Sequence, residues 1–236
     1  MKSSDKRACI ILARGGSKGI PHKNIVDFCG KPLLSWSIRA AIESGVFDRV
    51  VVSTDSEDVK KVALEEGAEV PFIRDDKLSK DNVLSAVALK DAVLKCENIY
   101  NEKYEIICEL QATSPLRSAE DIKEAHNLFF KNSHADSLYS VYELNHFHPK
   151  KIKKINDLGM VEDICDHFTE DKIGRRQDAE PLYLRNGAIF IMRREVLIDM
   201  KERVGKKCLA FVMPEERSLN IDTHLDLELG RIVKNV

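Results

Sequence analysis

Short apolar runs alternate with amphipathic stretches along nearly the whole chain. Residues 8–12 (Ala-Cys-Ile-Ile-Leu) and 49–53 (Arg-Val-Val-Val-Ser) are short, dense and rich in β-branched residues, as strands buried on both faces require. Residues 104–110 and 208–213 read the same way. Residues 136–144 alternate like a strand, 182–191 return to strand character, and 70–74 form a brief extended segment. Between these runs the period changes. Leu33, Leu34, Trp36, Ile38, Ala40, Ala41 and Ile42 are spaced for one face of a helix over 33–44, with Gly45 as its stop. Further helices are predicted over 57–66 ending at Gly67, about 83–95, 118–131 and 224–234. Strands alternating with helices predict an α/β fold: a doubly wound, mostly parallel twisted sheet with helices on both faces.

The pattern breaks once, at roughly 143–182. His146, His148, Lys150, Lys151, Lys153 and Lys154 make its start basic. An acidic stretch at 162–166 and Lys172-Ile173-Gly174-Arg175-Arg176-Gln177 follow. This composition predicts a small insertion at 143–182 in an α/β domain made of 1–142 and 183–236. His146 and His148 lack an acidic or Cys partner at ligand spacing and read as surface residues. The chain has 236 residues, enough for one sizeable domain, and 43% hydrophobic content. Lys and Arg total 37 against 39 Asp and Glu. That balance lacks the overall basic field of a nucleic-acid binder. No run approaches the length of a membrane span, and no signal-peptide pattern opens the chain. The six cysteines are scattered, with no Cys-x-x-Cys, which points to a reduced, cytoplasmic setting.

Chemistry concentrates where the first strand ends. Ala13-Arg14-Gly15-Gly16-Ser17-Lys18-Gly19-Ile20-Pro21-His22-Lys23-Asn24 is a glycine-rich, cationic loop. Its glycines free backbone N–H groups to face a ligand, and Arg14, Lys18 and Lys23 add three positive charges. Ligands of open α/β sheets sit at the carboxyl ends of strands, so the loop reads as a triphosphate cradle. Taken alone, such a loop fits a solvated connection equally well. It is not a P-loop, because Gly19 follows Lys18. It also lacks the Gly-x-Gly-x-x-Gly of a nicotinamide oxidoreductase. Three other polar strand ends have bland readings beside functional ones. Asp55 reads first as the cap of the helix beginning near Ser56-Glu57, Ser114-Pro115 as a helix entry, and Asp222-Thr223 as an N-cap.

The full string Ala-Arg-x-x-Ser-Lys-Gly-x-Pro-x-Lys-Asn resembles the signature of the CMP-N-acylneuraminate (CMP-sialic acid) cytidylyltransferases, and the resemblance recurs down nearly the whole chain. It implies that Arg14, Gly16, Ser17, Lys18, Lys23 and Asn24 hold the nucleotide. Arg74, in Arg74-Asp75-Asp76-Lys77-Leu78, would lie beside it, and Val83 and Ser85 would meet the cytosine. Gln111-Ala112-Thr113-Ser114-Pro115-Leu116-Arg117 resembles the family's second string, with Ala112 for the usual Pro; Gln111 and Thr113 would bond the sugar acid. Lys151 follows His148-Pro149, and Arg176 falls where the family places an Arg against the sugar carboxylate. Asn186-Gly187-Ala188-Ile189-Phe190 resembles a third marker, implying a sugar contact from Asn186 and an apolar lining from Phe190. An Arg found two places before this Asn in some members is Leu184 here, and the adjacent Arg185 points the other way along a strand. The family's Asp-x-Asp metal pair appears as Asn220 and Asp222, on one face of an extended segment, with Asp222 the main ligand.

The resemblance thus implies transfer of CMP from CTP to the anomeric hydroxyl of a sialic acid-type nine-carbon keto sugar acid, with Mg²⁺ or Mn²⁺, by a homodimer whose 143–182 arm completes the partner's site. Arg14, Lys23 and Arg176 are the expected catalytic residues. Two alternatives stand beside it. One is the same reaction on legionaminate, pseudaminate or a manno-octulosonate. The other is a non-catalytic nucleotide binder, which Asn220 in place of Asp makes admissible.

Overall fold

The computed structural model describes residues 6–144, 151–164 and 181–235. In chain order the elements are β1 (Arg7–Leu12), β2 (Asp27–Phe28), β3 (Lys31–Pro32), α1 (Leu33–Ser44), β4 (Arg49–Ser53), α2 (Glu57–Glu65), α3 (Ser85–Tyr100), β5 (Ile106–Leu110), α4 (Ala119–Lys131), β6 (Ser137–Glu143), β7 (Lys153–Ile155), β8 (Val161–Asp163), β9 (Tyr183–Arg193), α5 (Arg194–Ile198), β10 (Cys208–Val212) and α6 (His224–Lys234). Six strands form one sheet in the order β10-β6-β9-β5-β1-β4. The pairs β1–β4, β1–β5 and β10–β6 are parallel, whereas β9 runs antiparallel to both β5 and β6. The doubly wound, mostly parallel sheet expected from the pattern is present, with one reversed strand at its centre.

Period-two alternation gives the sheet its two faces. Cys9 and Ile11 of β1 join Val52, Cys108 and Leu110 under α1 and α4, where Leu34, Ile38, Ile122 and Phe129 pack. Ala8 and Ile10 point the other way and meet α3 and α5 through Leu89, Val93, Val196 and Leu197. The predicted helix over 83–95 runs on to Tyr100. Cys96 is buried there and Arg49 stacks 3.6 Å above the Tyr100 ring, before Asn101 ends the helix in a left-handed conformation. The strand predicted from 104 starts at Ile106. The five-residue α5, the β7–β8 hairpin and the β2–β3 hairpin escape the periodicity; the turn residues Cys29 and Gly30 of the last both have positive φ.

Helix caps correct two sequence readings. The side chain of Ser56, not Asp55, caps α2 by accepting from the Val59 N–H. Helix α4 starts at Ala119, capped reciprocally by Ser118 and Asp121, so Ser114 and Pro115 lie before it rather than at its entry. In both cases the chain becomes helical later than the first available cap residue.

His126 carries a pH dependence. It is 1% exposed. Its Nδ1 faces the Ile122 carbonyl oxygen at 3.0 Å, while its buried Nε2 has no partner among the described residues. The neutral ring with hydrogen on Nδ1 suits this pocket. Burial, assisted by Arg7 and opposed by the Ile122 contact, pulls its pKa from 6.5 to about 4. Between those values the unfolded chain binds more protons than the folded one, so stability falls on acidification. His126 should cost on the order of 2 kcal/mol between pH 7 and pH 5. Urea midpoints of wild type and His126→Leu at the two pH values check this; the variant should lack that part of the loss.

Candidate active site

The glycine turn after β1 is built by close backbone approaches. The Gly15 N–H donates to Asp55 Oδ1 at 2.8 Å, and a Cβ on Gly15 would come within 2.7 Å of Ser56 Cβ. A Cβ on Gly19 would lie 2.5 Å from the Asp222 carbonyl oxygen. The Asn24 amide donates to the Arg14 carbonyl oxygen at 2.8 Å, closing the loop on itself. Asp55 thus anchors the turn. It also faces the buried Arg74, whose Nη2 is 3.8 Å away and whose Nε donates to Ser79 Oγ. Burial pulls the Arg74 guanidinium below its ordinary value; Asp55 opposes that and Arg14 adds to it.

The cations of the turn are held by two carboxylates. Asp81, which the sequence did not single out, sits 2.5 Å from Arg14 Nη1 and 2.7 Å from Lys18 Nζ. Lys18 and then Arg14 hold the Asp81 carboxyl below the usual carboxylate range. Lys23 Nζ lies 2.8 Å from Asp222 Oδ1. The segment carrying Asp222 is extended and pinned. Ile221 is buried, and its N–H donates to the Thr113 carbonyl oxygen at 2.8 Å. Asn220 and Asp222 therefore share the opposite face, and Asn220 Nδ2 donates to Asp222 Oδ2 at 3.1 Å. The N-cap of α6 is Thr223, paired with Asp226. Asp222 is not the cap; only its backbone N–H joins that network, through Asp226 Oδ2.

These groups line a cavity of about 440 Å³ at the strand ends. Arg14, Gly16, Ser17, Lys23, Asn24, Arg74, Val83, Ser85, Gln111, Thr113, Asn220 and Asp222 all contribute to its wall, together with Asp81 and Glu109. Lys18 is outside the lining and faces solvent beside Asp81. A second cavity of about 390 Å³ is lined by Asn186 and Phe190, with Arg185 and Arg203, and shares Gln111 and Asn220 with the first. Lys151 is exposed and lines neither cavity. Arg176 lies outside the described residues, as do His146 and His148.

The wall between the cavities is set by three strands. Gly187 has φ +76, and a Cβ there would strike Gln111 Oε1 at 2.4 Å, so the Gln111 side chain lies directly on the Gly187 backbone. Buried Arg117 donates through Nη1 to the Ala188 carbonyl oxygen at 2.8 Å and more weakly to that of Gln111. A register shift in the β6–β9 pairing falls at Ser140. The Ser140 hydroxyl donates to Asn186 Oδ1 and accepts from the Ile189 N–H at 2.8 Å. Asn186 Nδ2 also donates to Ser218 Oγ. Its amide is thus occupied by the protein, and Asn186 shapes the cavity wall through that network.

The donor set fits a hard divalent cation. Asp222 offers a carboxylate, and buried Asn220 Oδ1 has no hydrogen-bond partner among the described residues. Mg²⁺ is commonly held by one or two carboxylates, with water and phosphate oxygens filling the remaining positions.

The cytidylyltransferase family model matches residues 8–233. The chain belongs to that family. A pseudaminic acid cytidylyltransferase of Campylobacter jejuni is 35% identical over 98% of this chain and 97% of its own length. An N-acylneuraminate cytidylyltransferase of Streptococcus agalactiae is 40% identical over 94% of this chain, which spans only 51% of that relative. A CMP:2-keto-3-deoxy-manno-octonic acid synthetase solved with CTP superposes with a TM-score of 0.72 over 98% of this chain and 99% of its own, at 18% identity, which shows a shared fold. Family membership makes the protein a nucleotidyltransferase.

Gly19 tests the geometry of the turn. Gly19→Ala should drive the loop off the Asp222 backbone, lowering stability by about 1–3 kcal/mol, the scale of overpacking, and weakening CTP binding. Gly16→Ala, whose Cβ would meet nothing within 4 Å, should melt within a degree or two of wild type. Thermal melts and CTP titrations check both.

Proposed function

We propose that the protein transfers CMP from CTP to the anomeric hydroxyl of a sialic acid-type nine-carbon keto sugar acid and releases pyrophosphate. The observation that carries this reading is the pair of adjacent cavities. One is walled by Arg14, Lys23, Asn220 and Asp222, and it shares Gln111 and Asn220 with a second, sugar-sized space beside it. Arg14, Lys18 and Lys23 would take the charge of the departing diphosphate, beside Arg74. Val83 and Ser85, at the start of α3, would meet the cytosine. Gln111, Thr113, Asn186 and Phe190 would position the sugar so that its hydroxyl faces the α-phosphorus, with Lys151 and Arg176 supplied from the arm. Catalysis is then alignment and charge neutralisation, without a covalent intermediate.

Asp222 and Asn220 would hold the Mg²⁺ or Mn²⁺. The bound cation would supply charge neutralisation on the phosphate oxygens. Asp222 already pairs with Lys23, so that lysine would be shared between the carboxylate and the diphosphate.

A second reading, pseudaminate as the sugar, is favoured by the end-to-end match to the Campylobacter relative. The enzyme would work in the cytoplasm as a homodimer. Five cysteines among the described residues are free thiols. The β7–β8 hairpin leaves Ile155, Leu158, Met160 and Val161 largely exposed, which suits an arm that lies on a partner. Among the described residues no helix is long and apolar enough to cross a membrane.

Pyrophosphate release with CTP, Mg²⁺ and a panel of keto sugar acids tests the assignment; CTP binding without release from any of them would leave only a nucleotide-binding module. Arg14→Ala should lower kcat/KM on the order of 10²-fold, the scale of losing one preorganised charge contact. Asp222→Ala should shift the Mg²⁺ titration sharply upward. An unchanged titration would confine Asp222 to its pairing with Lys23.

A further inference from the structure

Glu109 is an unusual residue for its place. It lies one residue before the end of β5, between the buried Cys108 and Leu110, and is only 3% exposed. Burying a lone carboxylate there is costly, so its partner matters. Arg203 Nη1 provides one at 2.9 Å. Burial pushes the Glu109 carboxyl up, with Arg203 and then Arg185 opposing.

Arg203 is fixed by more than that pair. It comes from the connection between α5 and β10. That connection is pinned on one side by the Glu202 N–H to the Val196 carbonyl oxygen, and on the other by the Gly205 N–H to Ser137 Oγ. Its guanidinium lies 4.6 Å from the ring centroid of Phe190, and Phe190 is the register partner of Glu109 across the β5–β9 ladder. Carboxylate and ring therefore share one face of the sheet, and the guanidinium meets both. Arg203 lines the second cavity, and among the described residues its Nε and Nη2 carry no hydrogen bond. A guanidinium has five N–H donors, and the protein uses one nitrogen.

The pair is neutral as a whole, and Arg185 and Glu215 add one cation and one anion to the same cavity wall. What it offers the cavity is a rigid set of N–H donors beside an aromatic ring, with Leu184 and Leu219 completing an apolar wall. That combination suits a neutral acceptor carrying a small apolar group better than a second anion or a bare hydroxyl. The first cavity shares Gln111 and Asn220 with the second, so with the reacting end in the first cavity this wall would face the far part of the sugar. We infer that Arg203, held by Glu109 over Phe190, is a specificity-determining residue that donates to the carbonyl oxygen of an acylamino substituent on the sugar acid, whose methyl packs on the apolar wall. This rests on the sugar-acid reading above.

The test uses matched pairs of nine-carbon keto sugar acids that differ only in an acylamino or a hydroxyl group. Wild type should prefer the acylated member by about 10²-fold in kcat/KM, since a site built around a hydrogen-bonded group rejects the analogue lacking it. Arg203→Lys keeps a cation beside Glu109 but loses the planar fork. Arg203→Met combined with Glu109→Gln removes the pair without stranding a charge. Both variants should bring the preference to within about threefold; Arg203→Lys, which leaves Glu109 of the first cavity in place, should do so with KM for CTP unchanged. Equal losses on the two members, or a retained preference, would overturn the inference. If wild type releases pyrophosphate with no sugar acid, the transfer reading fails. The same pairs are then titrated against the CTP-bound protein by calorimetry. Equal affinity for both members there would sink the Arg203 assignment, and a preference lost in both variants would sustain it.

Discussion

The site depends on one close fit between backbones: the glycine turn after β1 against the Asn220–Asp222 segment. Lys23 and Asp222 are 199 positions apart, yet they form an ion pair at 2.8 Å. That pair is not the source of the fit. Asp222 is largely exposed, and such pairs contribute about 0–1 kcal/mol. Burying Ile221 completely is worth about 1.5–3 kcal/mol, and its N–H adds a hydrogen bond to Thr113. The segment is held from behind by Ile221 and the α6 cap. Gly19 then lets the turn come up to it with no side chain between.

The reversed strand β9 is the second organising device. Placed between β5 and β6, it sets Asn186 and Gly187 beside Gln111, where parallel strands alone would leave a bare sheet end. Three features fix its register near the cavity: the shift at Ser140, the left-handed Gly187, and the Arg117 bond to Ala188. Bulges next to sites commonly re-aim side chains in this way. Here the consequence is an Asn186 whose amide is spent on Ser140 and Ser218, so it orders the wall.

Much of the fold was legible because run length and period are local properties. Ala8–Leu12 and Leu33–Ser44 could be read from twelve residues or fewer. The first cavity was legible at its glycine turn for the same reason, since Arg14, Gly16, Lys23 and Asn24 are close in sequence. Caps were harder. Asp55 and Ser114 were each plausible, but Ser56 and Ser118 do the capping, and of the pair Asp222-Thr223 it is Thr223 that caps. The choice among neighbouring polar residues depends on where packing lets the helix begin. Asp81 and Glu109 were invisible as site residues for a different reason. Each looks like one charged residue among many until a partner from elsewhere in the chain reaches it, and Glu109 meets Arg203 across 94 positions. Arg185 was set aside on strand alternation, yet it reaches the second cavity and lies 5.7 Å from the Phe190 centroid.

The two contacts of Asp81 carry an implication for how the halves of a nucleotide are sensed. Its carboxylate occupies both Arg14 and Lys18, so a phosphate chain that recruits those cations would compete with it. Asp81 lies only a few residues before α3, on the stretch that leads to Val83 and Ser85. The residue that would meet the anionic end and those that would meet the ring therefore sit on one short stretch of chain, Asp81 and Ser85 being four positions apart.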